Sequence, residues 1–175
     1  MSINGPTLDN ECIDYIKSIL PEGQTILELG SGEGTIKLSE YYNMISVENQ
    51  REWQDRYPIC TKYINVGHKM YNETDFKKPD NIKNIPSQNG WYDPNELQTK
   101  LPAKTEYDLI LIDGPGGGNW GRAGFYKHLE WVNTDVPIII DDVGRDAERI
   151  MMEKISKSVG REYKILSDDV TGVIE

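Results

Sequence analysis

The chain has 175 residues, 37% hydrophobic and 27% charged, which is ordinary usage for one globular domain with a single core. Its formal net charge of −10 disfavours a nucleic-acid substrate, because proteins that bind nucleic acid present basic surfaces to the phosphates. Two cysteines are too few for a disulfide framework. The sequence also has no apolar run long enough for a membrane span. We therefore expect a single cytoplasmic domain over residues 1–175.

The chain begins with a predicted amphipathic helix and a buried strand. Apolar residues recur at helical spacing from Leu8 to Leu20, after Thr7 or Asp9 as N-cap. An apolar strand at 26–29 then leads into a glycine-rich turn at 30–34. A strand, such a turn and a helix start predict free backbone N–H groups that favour negative charge on a ligand.

An acid inside the first strand narrows the type of ligand. Glu28 lies two residues before Gly30, and the glycines follow the pattern G-x-G-x-G instead of the dinucleotide pattern G-x-G-x-x-G. We expect the Glu28 carboxylate to point towards the ligand, where it would repel a pyrophosphate and attract an ammonium or hydroxyl group. The pattern therefore favours a zwitterionic ligand over a dinucleotide.

Three later strands end in carboxylates. Residues 44–48 end at Glu48, residues 107–113 at Asp113, and residues 136–142 at Asp141 and Asp142. Ligands of open α/β sheets bind at the carboxyl ends of the strands, so we expect these acids to converge on one site, with Glu48 placed to bind a ribose.

The remaining pattern alternates short helices and strands. A polar segment at 67–90 is predicted to be a loop, either functional or simply solvated. The other predicted elements are helices at 35–42, 50–57, 122–132 and 145–159, a short helix opened by Asp93 and Pro94, a strand at 61–66, and an antiparallel hairpin of strands 163–166 and 170–174.

The glycine-rich turn and the acid-tipped strands resemble the class I S-adenosylmethionine-dependent methyltransferases, the turn corresponding to their motif I. The resemblance implies an α/β Rossmann-like class I methyltransferase fold, with a mostly parallel seven-stranded sheet and helices on both faces. It also implies S-adenosylmethionine as cofactor. The cofactor-binding residues would be Glu28, Gly30, Ser31, Gly32, Gly34, Glu48, Gly67, His68 and Asp113.

Asp113, Asp141 and Asp142 are similar to the metal ligands of metal-dependent O-methyltransferases, and the adjacent pair is closer to the sugar-modifying type than to the catechol type. Clustered carboxylates can bind Mg²⁺ or another divalent cation, which would relieve their repulsion. A bound cation would lower the pKa of an acceptor hydroxyl and position its oxygen. Alternatively, Asp142 caps the following helix and Asp113 orders the glycine-rich loop.

The general base does not transfer from the catechol-type family, because Gly116 stands where that family has its lysine. Asp113, His68 and Lys127 are the catalytic candidates, whereas His128 is interpreted mainly as a surface or packing residue. The candidate substrate-binding residues are Trp91, Tyr92 and Trp120, which could stack on a sugar or planar ring, and Arg122, which could bind an anionic substituent. Trp53 and Trp131 are interpreted as helix-packing residues.

Residues 113–122 and 141–148 also resemble polysaccharide O-methyltransferases of the glucuronoxylan type. The sequence therefore predicts methyl transfer to a hydroxyl oxygen of a sugar, glycan or other small molecule, assisted by a divalent cation. A metal-independent N- or O-methyltransferase and a non-catalytic S-adenosylmethionine-binding protein remain alternatives, and the glycine spacing disfavours an NAD-dependent oxidoreductase. The oligomeric state is open, with a homodimer as one option.

Overall fold

The computed structural model describes residues 8–56, 62–70, 90–116, 122–167 and 169–175, except for the side chains of residues 55 and 56. The strands are β1 (Thr25–Leu29), β2 (Asn43–Glu48), β3 (Lys62–Asn65), β4 (His68–Met70), β5 (Gly90–Tyr92), β6 (Leu109–Ile112), β7 (Ile138–Ile140), β8 (Tyr163–Ile165) and β9 (Gly172–Ile174). The helices are α1 (Asn10–Ile19), α2 (Glu33–Ser39), α3 (Arg51–Arg56), α4 (Pro94–Lys100), α5 (Gly124–Lys127) and α6 (Asp146–Val159).

Seven strands form one sheet in the order β3-β2-β1-β6-β7-β9-β8, and β9 runs antiparallel to both of its neighbours. This arrangement confirms the predicted mostly parallel seven-stranded sheet and its C-terminal hairpin. The strand order reverses between β1 and β6, which pair in parallel. A crevice at the carboxyl ends of these strands is the usual ligand site of such a sheet.

Helices cover both faces of the sheet because the strands are apolar on both sides. On one face Cys12 and Ile16 of α1 pack against Ile26 and Met44. Helix α6 lies on the other face, where Met152 belongs to a second buried cluster. The Asp9 side chain caps α1 by accepting a hydrogen bond from the Glu11 N–H, and Asp9 is one of the two predicted N-caps. The other, Thr7, lies outside the described residues.

Two predicted elements differ from the structure. The predicted helix at 122–132 is divided into α5 and a 3-10 turn at Leu129–Trp131, with the break at His128. The predicted loop at 67–90 begins and ends in strands, since β4 and β5 pair antiparallel in a separate two-stranded sheet. This pairing joins residues distant in sequence, so local periodicity does not reveal it, and residues 71–89 lie outside the described part.

Within the described part of the chain, every helix is too short or too polar to span a lipid bilayer.

Candidate functional site

The turn after β1 touches the loop after β6, backbone against backbone. Gly30 has a φ of +100°, and a Cβ atom placed there would lie 2.8 Å from the Gly114 nitrogen. A Cβ on Gly114 would in turn lie 2.5 Å from the Gly30 Cα. Only glycine fits both positions, and their contact sets the floor of the crevice between β1 and β6.

Three backbone N–H groups of the turn are already hydrogen-bonded within the protein. The Gly30 N–H donates to the Val47 carbonyl at 2.8 Å, the Ser31 N–H to Glu48 Oε2 at 3.0 Å, and the Gly32 N–H to Thr35 Oγ1 at 2.9 Å. The prediction that the turn exposes free N–H groups is therefore wrong at these three residues. They do not form a cradle for a phosphate, which argues further against a dinucleotide.

Glu28 supports the turn from beneath and does not face a ligand, contrary to the prediction. Its side chain is fully buried, and its oxygens accept hydrogen bonds from the hydroxyls of Thr35 and Ser46. Burial raises the pKa of Glu28 to about 7, although both hydrogen bonds act in the opposite direction. Gly34 is also structural, because a Cβ atom there would lie 2.5 Å from Leu8 Cδ1 on the chain leading into α1.

A cleft of about 230 Å³ opens at the carboxyl ends of the strands. The acids that end three strands converge on it, as predicted, since Glu48, Asp113 and Asp142 all line its wall. Its lining residues are Gly30, Ser31, Gly32, Glu48, Gln50, Trp53, Asp113, Gly114, Pro115, Gly116, Arg122, Asp142 and Arg145.

Glu48 is held in one orientation within the cleft. Its Oε2 accepts from the Ser31 N–H at 3.0 Å and from the Ser31 hydroxyl at 3.2 Å, while its Oε1 accepts from the Gln50 N–H at 2.7 Å. Burial raises the pKa of Glu48, and these hydrogen bonds oppose that effect. Half-buried Trp53 of α3 also lines the cleft, a position that its interpretation as a helix-packing residue does not include.

The three predicted metal ligands form a real cluster, since Asp113, Asp141 and Asp142 each offer an oxygen within 4.8 Å of the others. Arg122 occupies this cluster, with Nη2 lying 2.8 Å from Asp142 Oδ2 and 3.3 Å from Asp113 Oδ1. Its Nη1 donates to the carbonyls of Asp141 at 2.8 Å and Ile112 at 3.3 Å. Arg122 thus contacts acceptors of the protein itself, and its role in binding an anionic group of the acceptor stays a prediction.

Asp142 does not cap α6, which was the alternative to metal binding. The N-cap of that helix is Arg145, and among the described residues no side chain accepts a capping hydrogen bond from the first backbone N–H groups of the helix. Asp142 has a φ of +65°, a conformation that Asp tolerates better than most residues. Its Oδ2 also lies 2.8 Å from Arg145 Nη1, so two arginines share this carboxylate.

Burial controls the protonation of the other acids near Arg122. It raises the pKa of Asp113 well above the ordinary range and also raises that of Asp141, and the two carboxyls are hydrogen-bonded to each other. Glu148, in the first turn of α6, is fully buried, and its pKa is raised by burial although Arg122 opposes the shift. Its oxygens have no hydrogen-bond partner among the described residues.

The cluster as arranged does not fit a divalent cation. The spacing of the three carboxylates would permit coordination, but the buried Arg122 guanidinium already lies at hydrogen-bond distance from two of them. A divalent ion bound to the same oxygens would be repelled by the guanidinium at close range. No chemical step is therefore assigned to a metal.

Several predicted site residues do not line the cleft. Gly67, His68 and Lys127 are not among the described residues that line it. His68 is exposed on β4, the Gly67 N–H donates to Glu96 Oε2 at 3.2 Å, and Lys127 is exposed on α5. The structure thus brings only Asp113, of the three catalytic candidates, into the cleft.

The predicted aromatic acceptor contacts are part of the core. Trp91 is 2% exposed and Tyr92 is fully buried, with the Tyr92 hydroxyl donating to the Val47 carbonyl at 2.9 Å. His128 stacks between Trp91 and Trp131 at ring-centroid distances of 5.6 and 3.9 Å, in agreement with its interpretation as a packing residue. These rings offer no free face to an acceptor, and Trp120 lies outside the described residues.

Comparison with known proteins identifies the fold. No protein-family model and no curated protein matches the sequence. The structure is similar to a TehB-like SAM-dependent methyltransferase from Corynebacterium glutamicum, with a TM-score of 0.51 at 16% identity, covering 94% of this chain and 83% of that one. It is also similar to a methyltransferase from Pyrococcus furiosus, with a TM-score of 0.50 at 14% identity, covering 94% and 79%. The chain therefore has the Rossmann-like fold of the S-adenosylmethionine-dependent methyltransferases.

Proposed function

We propose that this chain binds S-adenosylmethionine in the cleft and transfers its methyl group to a hydroxyl oxygen of a sugar, glycan or other small molecule. The observation that carries the proposal is the convergence of Glu48 and Asp113 beside the glycine-rich turn, at the point where the strand order reverses. The fold adds support, because it is shared with methyltransferases that use this cofactor.

The residues of the cleft fit the cofactor. Glu48, already oriented by three hydrogen bonds, would accept hydrogen bonds from the ribose hydroxyls, and the Trp53 ring would stack on the adenine. The inward-turned N–H groups of Gly30, Ser31 and Gly32 suit a ligand that carries no phosphate. When bound, S-adenosylmethionine supplies a methyl group on a positively charged sulfur.

A hydroxyl group must lose its proton as its oxygen gains the methyl group. We assign the proton-accepting role to Asp113, the one catalytic candidate that lines the cleft. Burial raises the pKa of this carboxyl, which makes its deprotonated form a stronger base. The divalent cation predicted from the sequence is not part of this proposal, because Arg122 occupies the carboxylate cluster.

Calorimetric titration with S-adenosylhomocysteine tests cofactor binding. Hydrogen bonds to a charged group contribute about 1.5–3 kcal/mol, so Glu48→Gln should weaken binding about 10- to 150-fold. Glu52→Gln, which changes an exposed acid of α3, should bind like the wild type. A wild-type protein that does not bind S-adenosylhomocysteine would overturn the proposed function.

A non-catalytic S-adenosylmethionine-binding protein is the second candidate, favoured by the positions of His68 and Lys127 outside the cleft. Incubation with labelled S-adenosylmethionine and a panel of sugar and phenolic acceptors separates the two. Transfer of label to an acceptor hydroxyl that is lost in Asp113→Asn supports the enzyme. Cofactor binding without transfer to any acceptor in the panel supports the binding protein.

A further inference from the structure

We propose that Arg122 is the permanent cation of the carboxylate cluster and stands where the sequence pattern predicts a divalent metal ion. Its side chain is 3% exposed, and Nη2 contacts Asp142 at 2.8 Å and Asp113 at 3.3 Å. These contacts involve two of the three carboxylates that a metal would need. The cluster therefore has a positive partner that is part of the protein.

The backbone fixes Arg122 independently of these carboxylates. Its Nη1 donates to the carbonyl of Ile112, at the end of β6, and to that of Asp141, just after β7. Moving the guanidinium away to admit a metal ion would leave both of these carbonyls without this donor. The planar guanidinium serves all four acceptors at once, whereas Mg²⁺ needs near-octahedral oxygen ligands at about 2.1 Å.

The surrounding charges favour a resident guanidinium. Glu148 is fully buried on α6, and electrostatic attraction to Arg122 lowers its otherwise raised pKa, so it adds a further acid around the same cation. Arg145 forms a second ion pair with Asp142 at 2.8 Å from the exposed side. The carboxylates thus pair with Arg122 on the buried side of the cluster and with Arg145 on its exposed side.

This inference also assigns Arg122 a positioning role. The ion pair fixes Asp113 at the wall of the cleft, so the orientation of this carboxyl does not depend on a bound metal. That role rests on the proposed function, in which Asp113 accepts the proton of the substrate hydroxyl group. The identity of the cation does not rest on it and can be tested without substrate.

Binding of Mn²⁺, followed by electron paramagnetic resonance, tests the identity of the cation. We expect no stoichiometric Mn²⁺ site in the wild type, and one site in Arg122→Gln that disappears when Asp141→Asn is added. Arg149→Gln removes a positive charge from α6 that donates to the Val143 carbonyl, and it should behave like the wild type. One Mn²⁺ bound by the wild type and lost in Asp141→Asn would overturn the inference.

A folded Arg122→Gln protein that binds no Mn²⁺ would also overturn it, because the cluster would then not be a cation site that Arg122 fills. If Arg122→Gln does not fold, the wild-type titration alone still decides whether a metal occupies the cluster. The positioning role is tested by Arg122→Lys, which keeps the charge without the planar fork. This variant should bind S-adenosylhomocysteine like the wild type but transfer methyl groups at least tenfold more slowly, with a shifted pH profile.

An Arg122→Lys protein with unchanged transfer and pH profile would contradict the positioning role. Binding of S-adenosylhomocysteine to the wild type is measured in parallel. If that binding is absent, the proposed function fails while the Mn²⁺ result stands by itself. If it is present and the wild type binds Mn²⁺ at the cluster, only the inference about Arg122 fails.

Discussion

Gly30 is the residue at which the turn after β1 meets the loop after β6. Gly30→Ala should destabilise the protein by about 3 kcal/mol, because alanine strains the backbone at a φ of +100° and its Cβ would overlap the Gly114 nitrogen. Urea unfolding measures this loss. Gly116→Ala is the control, since no atom of the described residues lies within 4 Å of a Cβ atom at Gly116. Equal stability of the two variants would contradict the role of the close contact.

Glu28 should make stability depend on pH. Burial holds the pKa of its carboxyl at about 7 in the folded protein, against an ordinary value of 4.5. Between these values the folded state binds more protons than the unfolded state, so the free energy of unfolding falls as pH rises, by about 3 kcal/mol in all. Urea unfolding from pH 4.5 to 8 should show this fall relative to Glu28→Gln.

The exposed residue Glu40 provides the control for Glu28. Glu40→Gln should retain the wild-type dependence of stability on pH in this range. If Glu28→Gln retains it as well, the buried carboxyl is not its source.

Sequence reasoning placed the strand-end acids correctly but assigned several side chains to the wrong surroundings. Glu48, Asp113 and Asp142 could be predicted because strand ends follow from apolar runs, and the ends of parallel strands meet. The location of Arg122 depends on how the chain folds back over the ends of β6 and β7, which no local pattern encodes. Trp91 is a predicted acceptor contact because an aromatic ring can stack on a sugar or planar ring, yet it packs in the core.

At the scale of elements, α3 contributes Trp53 to the lining of the cleft. Stacking of a base on an aromatic ring contributes about 1–3 kcal/mol, so Trp53→Leu should weaken S-adenosylhomocysteine binding about 5- to 150-fold, while Trp53→Phe retains most of it. Calorimetry with S-ribosylhomocysteine, which lacks the adenine, provides the comparison. An equal loss for both ligands would show that Trp53 does not act through the adenine.

The seven main strands and the long helices could be predicted because their apolar periodicity extends over enough residues. The pairing of β4 with β5 could not, because it depends on partners separated by residues 71–89. Helix α5 ends early because the His128 ring is stacked between two tryptophan rings, one of them on β5. Both differences come from tertiary contacts that a local pattern does not contain.

At the scale of the whole molecule, Arg161 ties three parts of the chain together after α6. Its guanidinium donates to the carbonyls of Thr134 and Val136 before β7 and to that of Ile174 in β9. Arg161→Met should destabilise the protein by about 2–3 kcal/mol, measured by urea unfolding, because three carbonyls lose a charged donor. Lys157→Met, at an exposed position of α6, should change stability little. An equal loss of stability in Arg161→Met and Lys157→Met would contradict the role of the three Arg161 hydrogen bonds.

The inward-turned N–H groups of the glycine-rich turn have a consequence for how the protein would select its ligand among cellular metabolites. The most abundant adenosine compounds, such as ATP and NAD, carry phosphates, and the turn gives those phosphates none of the N–H groups of Gly30, Ser31 and Gly32. Glu48 would also repel an anion brought close to the cleft wall. A nucleotide would therefore gain no phosphate contact from these three groups, whereas the proposed cofactor carries no phosphate and needs none.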